Sequence, residues 1–372
     1  MINIEKQGLI QKSNREEVFP VTPYERVYTA IELGYADFTP VVPQITYATC
    51  ILVGREFEQS GGNPKDLAVS LIGGWKKVGY DGIYSGWEAS FNLLAEAMGC
   101  KLTKGNDGLP QVNTHPVETE EDISRLILPN PWQDGRLPFH LEVTKLIKDY
   151  VKDEVPVFSY VPGPFTLAGL LRGSEKFLLD ILRKPQFVKK LIDVATEASV
   201  AFALAKIKSG ADIIVVADPT ASSSIISPEM FKSFSLPAIK KVFKSVVEAG
   251  AVPSLHICGN TEPILELMVE SGAKILEIDH LVDLRIAKEK VGSRVCLQGN
   301  IDPSLELLMG SPKEVYSSAL QCIEMAGKQG GFILSSGCEV PLNTPWENLV
   351  AMVEASRNYP LRRLESCVRR DC

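Results

Sequence analysis

Short runs of apolar, β-branched residues alternate with longer stretches of helical periodicity in the chain beyond about residue 150. Such runs are typical of buried strands, and stretches with apolar residues three and four positions apart are typical of amphipathic helices. The predicted strands are Val155–Val161, Asp212–Ala217, Val252–Cys258, Lys274–Asp279, Arg294–Gln298 and Phe332–Ser335. The predicted helices are Pro185–Ser209, Pro228–Ala249, Glu262–Ser271, Leu281–Lys290, Pro312–Gln329 and Pro345–Asn358.

This alternation predicts a parallel sheet, because a helix that crosses back between two strands places them side by side in the same direction. Two further strands are predicted nearer the N-terminus, at Thr39–Thr46 and Gly82–Tyr84. We therefore expect an α/β fold that closes into a (β/α)8 TIM barrel. An open doubly wound sheet is the alternative, although no Gly-x-Gly-x-x-Gly motif follows a first strand to favour its nucleotide-binding form.

The 372 residues are expected to form one barrel domain, residues 1–372, with three parts outside the regular pattern. Residues 1–20 are polar and predict an N-terminal arm. Residues 99–138 are rich in glycine, proline, asparagine and acidic side chains, and predict a long irregular insertion over the barrel mouth. Residues 361–372 carry four arginines and predict a solvated basic tail, with docking to an acidic partner as the alternative.

Composition and charge exclude several classes of protein. The net charge of -7 and the pI of about 5.4 argue against a broad nucleic-acid-binding surface. No apolar run reaches the roughly 18 residues of a membrane span, and the N-terminus lacks the basic and apolar segments of a signal peptide. Eight cysteines without regular spacing indicate reduced thiols rather than a disulfide framework. These features predict a cytoplasmic protein and leave its oligomeric state open.

A histidine and two cysteines carry the strongest chemical signal in the sequence. His256 and Cys258 lie two positions apart at the end of a predicted strand, so their side chains project from the same face. Cys338 follows the last predicted strand. One imidazole and two thiolates suit a catalytic zinc ion that keeps one coordination position open for substrate. Each residue alone would more often be a buried core group, so the prediction depends on their shared position at strand ends.

Other polar residues at strand ends complete the predicted site, since the catalytic groups of a parallel barrel lie at its carboxyl-terminal face. Asp279 is the candidate fourth zinc ligand and a candidate catalytic group, preferred over its neighbour His280. Asp218 is a second candidate catalytic group, for proton transfer or substrate orientation. The alternative for Asp218 is a carboxylate that starts the turn before Pro219. The candidate substrate-binding residues are Gln44, Tyr84 and Asn300.

The motifs around these residues resemble the uroporphyrinogen decarboxylase superfamily and, within it, the methylcobalamin:coenzyme M methyltransferase branch. The similarity extends from about Val41 to Tyr359. It is strongest at Leu255–Asn260, and at Gly337–Cys338 before Thr344–Asn348. Further matches are Ala95–Cys100, Gly163–Thr166, Ala195–Ser199 and Gly210–Asp212 leading to Ala217–Pro219.

The resemblance implies a TIM barrel that holds zinc through His256, Cys258 and Cys338, with a displaceable carboxylate ligand at Asp279. It also implies a corrinoid that carries the methyl group and a corrinoid protein as the partner that presents it. Uroporphyrinogen decarboxylases hold the carboxylates of their substrate with an arginine-rich segment after the first strand. The corresponding segment here, Val42–Thr49, contains no arginine, which disfavours that activity.

We therefore expect a zinc-dependent corrinoid methyltransferase, which moves a methyl group between a corrinoid cobalt and a small substrate bound at zinc. The small substrate would be a thiol acceptor such as coenzyme M, or a methoxylated or otherwise methylated donor. The sequence does not specify the direction of transfer. A decarboxylase of the uroporphyrinogen type is the alternative activity, and a corrinoid-binding or zinc-storing protein without turnover is the non-enzymatic alternative.

Overall fold

The computed structural model describes residues 21–55, 62–86, 88–104 and 110–359. The predicted arm at 1–20 and the predicted tail at 361–372 lie outside these residues. The described strands are β1 (Ile83–Tyr84), β2 (Lys101–Lys104), β3 (Pro110–Thr114), β4 (Val157–Pro162), β5 (Ile213–Ala217), β6 (Val252–His256), β7 (Ile275–Glu277), β8 (Cys296–Ile301) and β9 (Phe332–Ser336).

Helices and short helical turns connect these strands. The helices are α1 (Pro23–Ile31), α2 (Ala48–Leu52), α3 (Pro64–Val78), α4 (Glu88–Ala97), α5 (Glu120–Arg125), α6 (Leu137–Val151), α7 (Pro164–Arg172), α8 (Ser174–Arg183), α9 (Pro185–Lys208), α10 (Pro228–Met230), α11 (Leu236–Glu248), α12 (Leu265–Glu270), α13 (Leu284–Val291), α14 (Pro312–Cys322) and α15 (Trp346–Arg357). The 3-10 or π-helical turns are Pro219–Ala221, Phe231–Ser235, Glu262–Ile264, Pro303–Leu308 and Ile323–Gly327. None of these described helices combines the length and the apolar character needed to cross a bilayer.

Seven strands form one parallel sheet in the order β1-β4-β5-β6-β7-β8-β9. Strands that follow one another along the chain are therefore neighbours in the sheet, and helices connect each pair. The doubly wound alternative requires the strand order to reverse at a switch point. Since the order does not reverse, that alternative is wrong.

The predicted strand Thr39–Thr46 is reduced to one bridge, between Val41 and Leu334 of β9. Toward the edge strand β9, the Val42 N–H donates to the Leu334 carbonyl oxygen at 2.9 Å. Toward the other edge strand, β1, the N–H of Asp81, just before that strand, donates to the Val41 carbonyl oxygen at 2.6 Å. The segment bonds to both edges of the sheet and fills the first strand position, as expected for a TIM-barrel-like fold.

An ion-pair cluster with two buried members, Arg26 and Asp81, and one exposed member, Asp37, holds this closing segment. Arg26 is 5% exposed, and its guanidinium donates to Oδ1 of Asp81 and to Oδ1 of Asp37, both at 2.7 Å. The second oxygen of Asp81 accepts the N–H of Val41 at 2.8 Å. Removing one partner of the buried pair Arg26–Asp81 leaves an uncompensated buried charge, so the closure depends on both of these side chains.

The strand register places the site residues at one end of the sheet. Ala217 of β5 pairs with His256 of β6, which in turn pairs with Glu277 of β7. Each of these residues ends its strand. Three carboxyl-terminal strand ends differ from the prediction by two or more residues. Strand β6 stops at His256, so Cys258 lies in the following turn; β7 stops at Glu277 rather than Asp279; and β8 continues through Asn300 to Ile301.

The insertion at residues 99–138 is more regular than predicted. Strands β2 and β3 pair in antiparallel fashion, and Thr119 caps the start of α5. The insertion contacts the end of α7, where Arg172 donates to the Val117 carbonyl oxygen at 3.1 Å. The hairpin was not predicted because its polar sequence lacks the apolar alternation of a half-buried strand. The location of the insertion over the barrel mouth stays a prediction.

Candidate metal centre

Three metal-ligating side chains meet at the carboxyl-terminal end of the sheet. Nε2 of His256 lies 3.1 Å from Sγ of Cys258. Sγ of Cys338 lies 3.7 Å from Sγ of Cys258 and 3.9 Å from Nε2 of His256. Within the described ranges, this is the one group of three or more potential ligand atoms that all lie within 4.8 Å of one another. The fold therefore brings together the three residues that the sequence suggested as zinc ligands.

The spacing of the donor atoms fits a single tetrahedral zinc ion. Zinc–sulfur bonds of about 2.3 Å at tetrahedral angles separate two thiolates by about 3.8 Å, and the separation here is 3.7 Å. A disulfide would bring the two sulfur atoms to about 2.05 Å. Three protein ligands leave one tetrahedral position for substrate, as in catalytic zinc sites.

The cluster is closed on its histidine side and accessible on its cysteine side. The His256 side chain is fully buried, whereas Cys258 and Cys338 are each partly exposed. A small substrate can therefore reach the donor atoms from the side of the two thiols.

A glycine shapes the turn that carries Cys258. Gly259 has a φ of +84°, in the left-handed region that favours glycine. A Cβ at this position would lie 2.8 Å from Oγ of Ser224 and 2.9 Å from Oγ of Ser222. The N–H of Asn260 donates to Oγ of Ser224 at 3.2 Å. Gly259 thus allows the serine-rich loop after β5 to pack directly against the turn that follows Cys258.

The surroundings shift the protonation of two members of the cluster. Burial alone lowers the pKa of His256, but its contacts with Cys338 and Glu277 outweigh burial and raise that pKa to about 10. The hydrogen bond with Cys258 and burial raise the pKa of the Cys338 thiol well above its ordinary value. A bound zinc ion would oppose both shifts, because it deprotonates coordinating thiols and binds the unprotonated nitrogen of an imidazole.

Glu277 is a site residue that the sequence reasoning missed. Its Oε2 lies 3.1 Å from Nδ1 of His256, and both side chains are fully buried. A carboxylate accepts but does not donate, so Nδ1 carries the proton and Nε2 is left to bind a metal. The available signal was the position of Glu277 two residues before Asp279, on the same face of the predicted strand.

Asp279 is not part of the donor cluster, contrary to the expected fourth ligand. Its Oδ2 accepts the N–H of Gly259 at 2.8 Å, and its Oδ1 accepts the N–H of Leu281 at 2.9 Å. Oδ1 also lies 3.1 Å from Nδ1 of His280. Because β7 already ends at Glu277, Asp279 lies in the next turn, where it holds the Gly259 turn through a hydrogen bond.

Asp218 is fully buried and holds the start of a helix. Its Oδ1 accepts the N–H of Thr166, in the first turn of α7, at 2.7 Å, and its Oδ2 accepts the hydroxyl of Ser235 at 2.9 Å. Burial raises the pKa of Asp218 despite these hydrogen bonds. Both oxygens are occupied, which argues against the expected role in proton transfer or substrate orientation.

Asp218→Ala is expected to lower the free energy of unfolding by about 1–3 kcal/mol, because two buried donors lose their acceptor. Asp218→Asn is the control, since its amide oxygen can still accept the N–H of Thr166. Urea unfolding of the zinc-saturated protein measures both variants. An alanine variant as stable as the parent would mean that the two hydrogen bonds do not support the barrel.

Two of the predicted substrate-binding residues lie inside the barrel. Gln44 and Tyr84 are 0% and 1% exposed. Nε2 of Gln44 donates to the Ser336 carbonyl oxygen at 3.2 Å, and the Tyr84 hydroxyl donates to Oε1 of Glu277 at 2.9 Å. Burial therefore places both side chains beneath the site, and the expectation of direct substrate contact is not supported for them.

Asn300, the third predicted substrate-binding residue, connects two loops. Its Nδ2 donates to the carbonyl oxygens of Asp279, at 3.1 Å, and of Val282, at 2.7 Å. Asn300 therefore fixes the loop after β7 to the end of β8, and its amide group is engaged in the framework of the site.

Comparison with known proteins places the chain among relatives of similar length. The sequence model described as uroporphyrinogen decarboxylase (URO-D) matches residues 22–359. The methylcobamide:CoM methyltransferase MtbA of Methanosarcina acetivorans is 30% identical over 344 residues, which cover 91% of this chain and 98% of the relative. A solved structure of a methyltransferase from Methanosarcina mazei superposes with a TM-score of 0.82 at 30% identity, and covers 91% of this chain and 98% of its own.

A uroporphyrinogen decarboxylase of Coxiella burnetii is less similar. It is 26% identical over 281 residues, which cover 73% of this chain and 76% of the relative. The two methyltransferases are thus matched over nearly their whole length, and this decarboxylase over about three quarters of its own.

Proposed function

The chain belongs to the uroporphyrinogen decarboxylase (URO-D) family, and from that premise we propose that it is a zinc-dependent corrinoid methyltransferase. The observation that carries the proposal is the cluster of His256, Cys258 and Cys338, with one coordination position left for substrate. Its substrates are a methylated corrinoid, presented by a corrinoid protein, and a small thiol such as coenzyme M. MtbA, a relative covered over 98% of its length, is named for this transfer.

The residues of the cluster would bind the metal from two sides. Cys258 and Cys338 hold the metal from the exposed side, and His256, backed by Glu277, holds it from the buried side. Zinc bound there lowers the pKa of a thiol at its open position and keeps the sulfur as a thiolate at neutral pH. A neutral thiol is a poor nucleophile, so the three ligands are needed for the reaction and not only for stability.

The transfer is a nucleophilic displacement at the methyl carbon. The sulfur of the acceptor forms a bond to the methyl carbon while the carbon–cobalt bond breaks, and the bonding electron pair stays with cobalt. The proton of the acceptor thiol is released to solvent. The protein contributes position, because the donor and the acceptor must meet in line at the mouth of the barrel.

The cysteines also support the proposed location. The cysteines of the described ranges form no disulfide; they are Cys50, Cys100, Cys258, Cys296, Cys322 and Cys338. Unbonded thiols are typical of proteins that work in a reducing compartment, which favours the cytoplasm.

Decarboxylation of uroporphyrinogen has less support. A decarboxylase that works without metal gives no reason for an imidazole and two thiols at tetrahedral spacing. The segment Val42–Thr49, which would hold the acidic side chains of such a substrate, lacks arginine. Its polar residues Gln44, Thr46 and Thr49 are fully or almost fully buried.

Metal analysis and a methyl-transfer assay test the proposal together. The purified protein is expected to hold about one zinc per chain, and to demethylate methylcobalamin in the presence of coenzyme M or of another small thiol. The cobalt(I) or cobalt(II) absorption spectrum reports the transfer, and the chelator-treated protein is the control. The reverse arm uses cobalt(I) corrinoid with methoxylated and other methylated donors.

Two outcomes would count against a methyltransferase. One is that no methyl transfer is detected in either direction, with free cobalamin or with candidate corrinoid proteins. The other is release of carbon dioxide from uroporphyrinogen by the zinc-free protein, which would support the decarboxylase instead.

A further inference from the structure

Glu277 is a fully buried carboxylate at the end of β7, and four polar side chains surround it. Oε1 accepts the hydroxyl of Tyr84 at 2.9 Å and that of Ser254 at 3.2 Å. Oε2 accepts the hydroxyl of Tyr160 at 3.2 Å and lies 3.1 Å from Nδ1 of His256. A charge buried this deeply is costly unless its acceptor sites are filled, and here both oxygens have two neighbours each.

This arrangement is unusual for the inside of a parallel barrel, which is normally filled by layers of branched apolar side chains. Gln298 extends the polar group, because its Nε2 donates to the Tyr84 hydroxyl at 2.6 Å. The rings of Tyr84 and Tyr160 stack, with centroids 5.1 Å apart, and the Tyr160 ring lies edge-on to the imidazole of His256 at 6.5 Å. The layer beneath the metal cluster is therefore built around one carboxylate and one imidazole.

The same group of residues reaches the other half of the cluster. The Tyr160 hydroxyl lies 3.2 Å from Oε1 of Gln44, which it can donate to in place of Glu277. Gln44 bonds Ser336 twice: its N–H donates to Oγ at 3.1 Å and its Nε2 to the carbonyl oxygen at 3.2 Å. Ser336 ends β9, two residues before Cys338. The Tyr160 hydroxyl thus lies between Glu277, the neighbour of His256, and Gln44, which bonds the strand that delivers Cys338.

We propose that Glu277 is a positioning residue, which fixes the tautomer and orientation of His256 and aligns it with Cys338 through Tyr160 and Gln44. This inference rests on the proposed zinc site. The imidazole could otherwise turn about its bond to Cβ and present either nitrogen to the ion. With Glu277 at Nδ1, only Nε2 is left as a donor atom with a free electron pair. The negative charge of Glu277 also makes the imidazole a stronger ligand.

The test measures zinc affinity by competition with a chelator, which requires no catalytic activity. Glu277→Gln keeps the size of the side chain and removes its charge, and is expected to weaken zinc binding about 10–100-fold. Tyr160→Phe removes one hydrogen bond to Glu277 and is expected to have a smaller effect in the same direction. Tyr80→Phe is the control for Tyr160→Phe, because Tyr80 is also fully buried and is not part of this group.

A second buried carboxylate, whose side chain does not contact a proposed ligand side chain, controls for loss of a buried charge. Asp218 is also fully buried, and its two oxygens accept from Thr166 and Ser235, so Asp218→Asn should leave the zinc affinity close to that of the parent. Cobalt(II) substitution gives a second reading: the ligand-field bands of Glu277→Gln should shift, and those of Asp218→Asn should not.

The outcomes separate this inference from the function it rests on. Unchanged zinc affinity and unchanged cobalt(II) bands in Glu277→Gln would overturn the positioning role, even if methyl transfer is found. Equal losses of affinity in Glu277→Gln and Asp218→Asn would also overturn it, because both would then reflect a weakened barrel. A parent protein that binds no zinc would instead remove the proposed function. If Glu277→Gln does not fold, Tyr160→Phe against Tyr80→Phe still decides the question.

Discussion

Cys338→Ala is expected to lower zinc affinity on the order of 100-fold and to abolish methyl transfer at ordinary zinc concentrations. A zinc ion in a complete protein site is bound by roughly 10–16 kcal/mol, which is about 3 kcal/mol for each of four ligands. A loss of this size corresponds to about two powers of ten in the dissociation constant. Cys258→Ala should have a similar effect, since its Sγ lies within 3.7 Å of both other donors.

Chelator competition gives the zinc affinities, and the methylcobalamin assay gives the rates. Cys322→Ala is the matched control, because it removes a buried thiol that lies outside the donor cluster. Its zinc content and rate should equal those of the parent. Full zinc occupancy in both Cys258→Ala and Cys338→Ala would show that the metal is held elsewhere or by other ligands.

Much of the barrel could be predicted from periodicity, because buried parallel strands are continuous apolar runs. Asp212–Ala217 and Phe332–Ser335 were predicted to within one residue of β5 and β9. The closing segment was harder to predict. Thr39–Thr46 reads as a strand of eight residues, but two prolines interrupt it, and proline cannot donate to a sheet. Only the part around Val41 pairs with β9 as a strand does.

The donor set could be predicted because its members are rare residue types at strand ends. The surrounding residues could not be assigned in the same way, since aspartate and glutamate are common and their roles depend on which atoms they meet. Asp279 and Glu277 illustrate the difference. Both follow the same apolar run, yet Glu277 meets Nδ1 of His256 while Asp279 meets the N–H of Gly259. A shift of two residues in the end of β7 decides between these roles.

The sequence also did not specify how deeply a polar side chain lies within the barrel. Gln44 and Tyr84 were predicted at the mouth, where they would touch substrate, but both are buried beneath the cluster. A polar residue near a strand end can face substrate or fill the barrel interior. Composition does not separate the two, because buried polar groups are tolerated wherever their hydrogen bonds are satisfied.

Gly337→Ala is expected to slow methyl transfer on the order of 100-fold, although it removes no ligand. A Cβ at Gly337 would lie 2.5 Å from the backbone nitrogen of His280, and a backbone atom of a fixed loop cannot move aside cheaply. The N–H of Gly337 also donates to the Ile301 carbonyl oxygen at 2.8 Å, so the strain must be relieved by moving the segment that carries Cys338. Misplacement of a reacting group by about 1 Å can cost a factor of this size.

Gly169→Ala is the control for this substitution. A Cβ there would meet its nearest neighbour, in the Phe177 ring, at 3.6 Å, which is ordinary contact distance, and alanine is favoured over glycine within helix α7. Two measurements distinguish displacement of Cys338 from loss of the metal. A rate that stays low at saturating zinc excludes simple loss of the metal, and shifted cobalt(II) bands indicate a displaced ligand. A Gly337→Ala enzyme with the parent's rate and bands would show that the Cys338 segment adapts freely, and that its close packing on His280 does not set the geometry of the site.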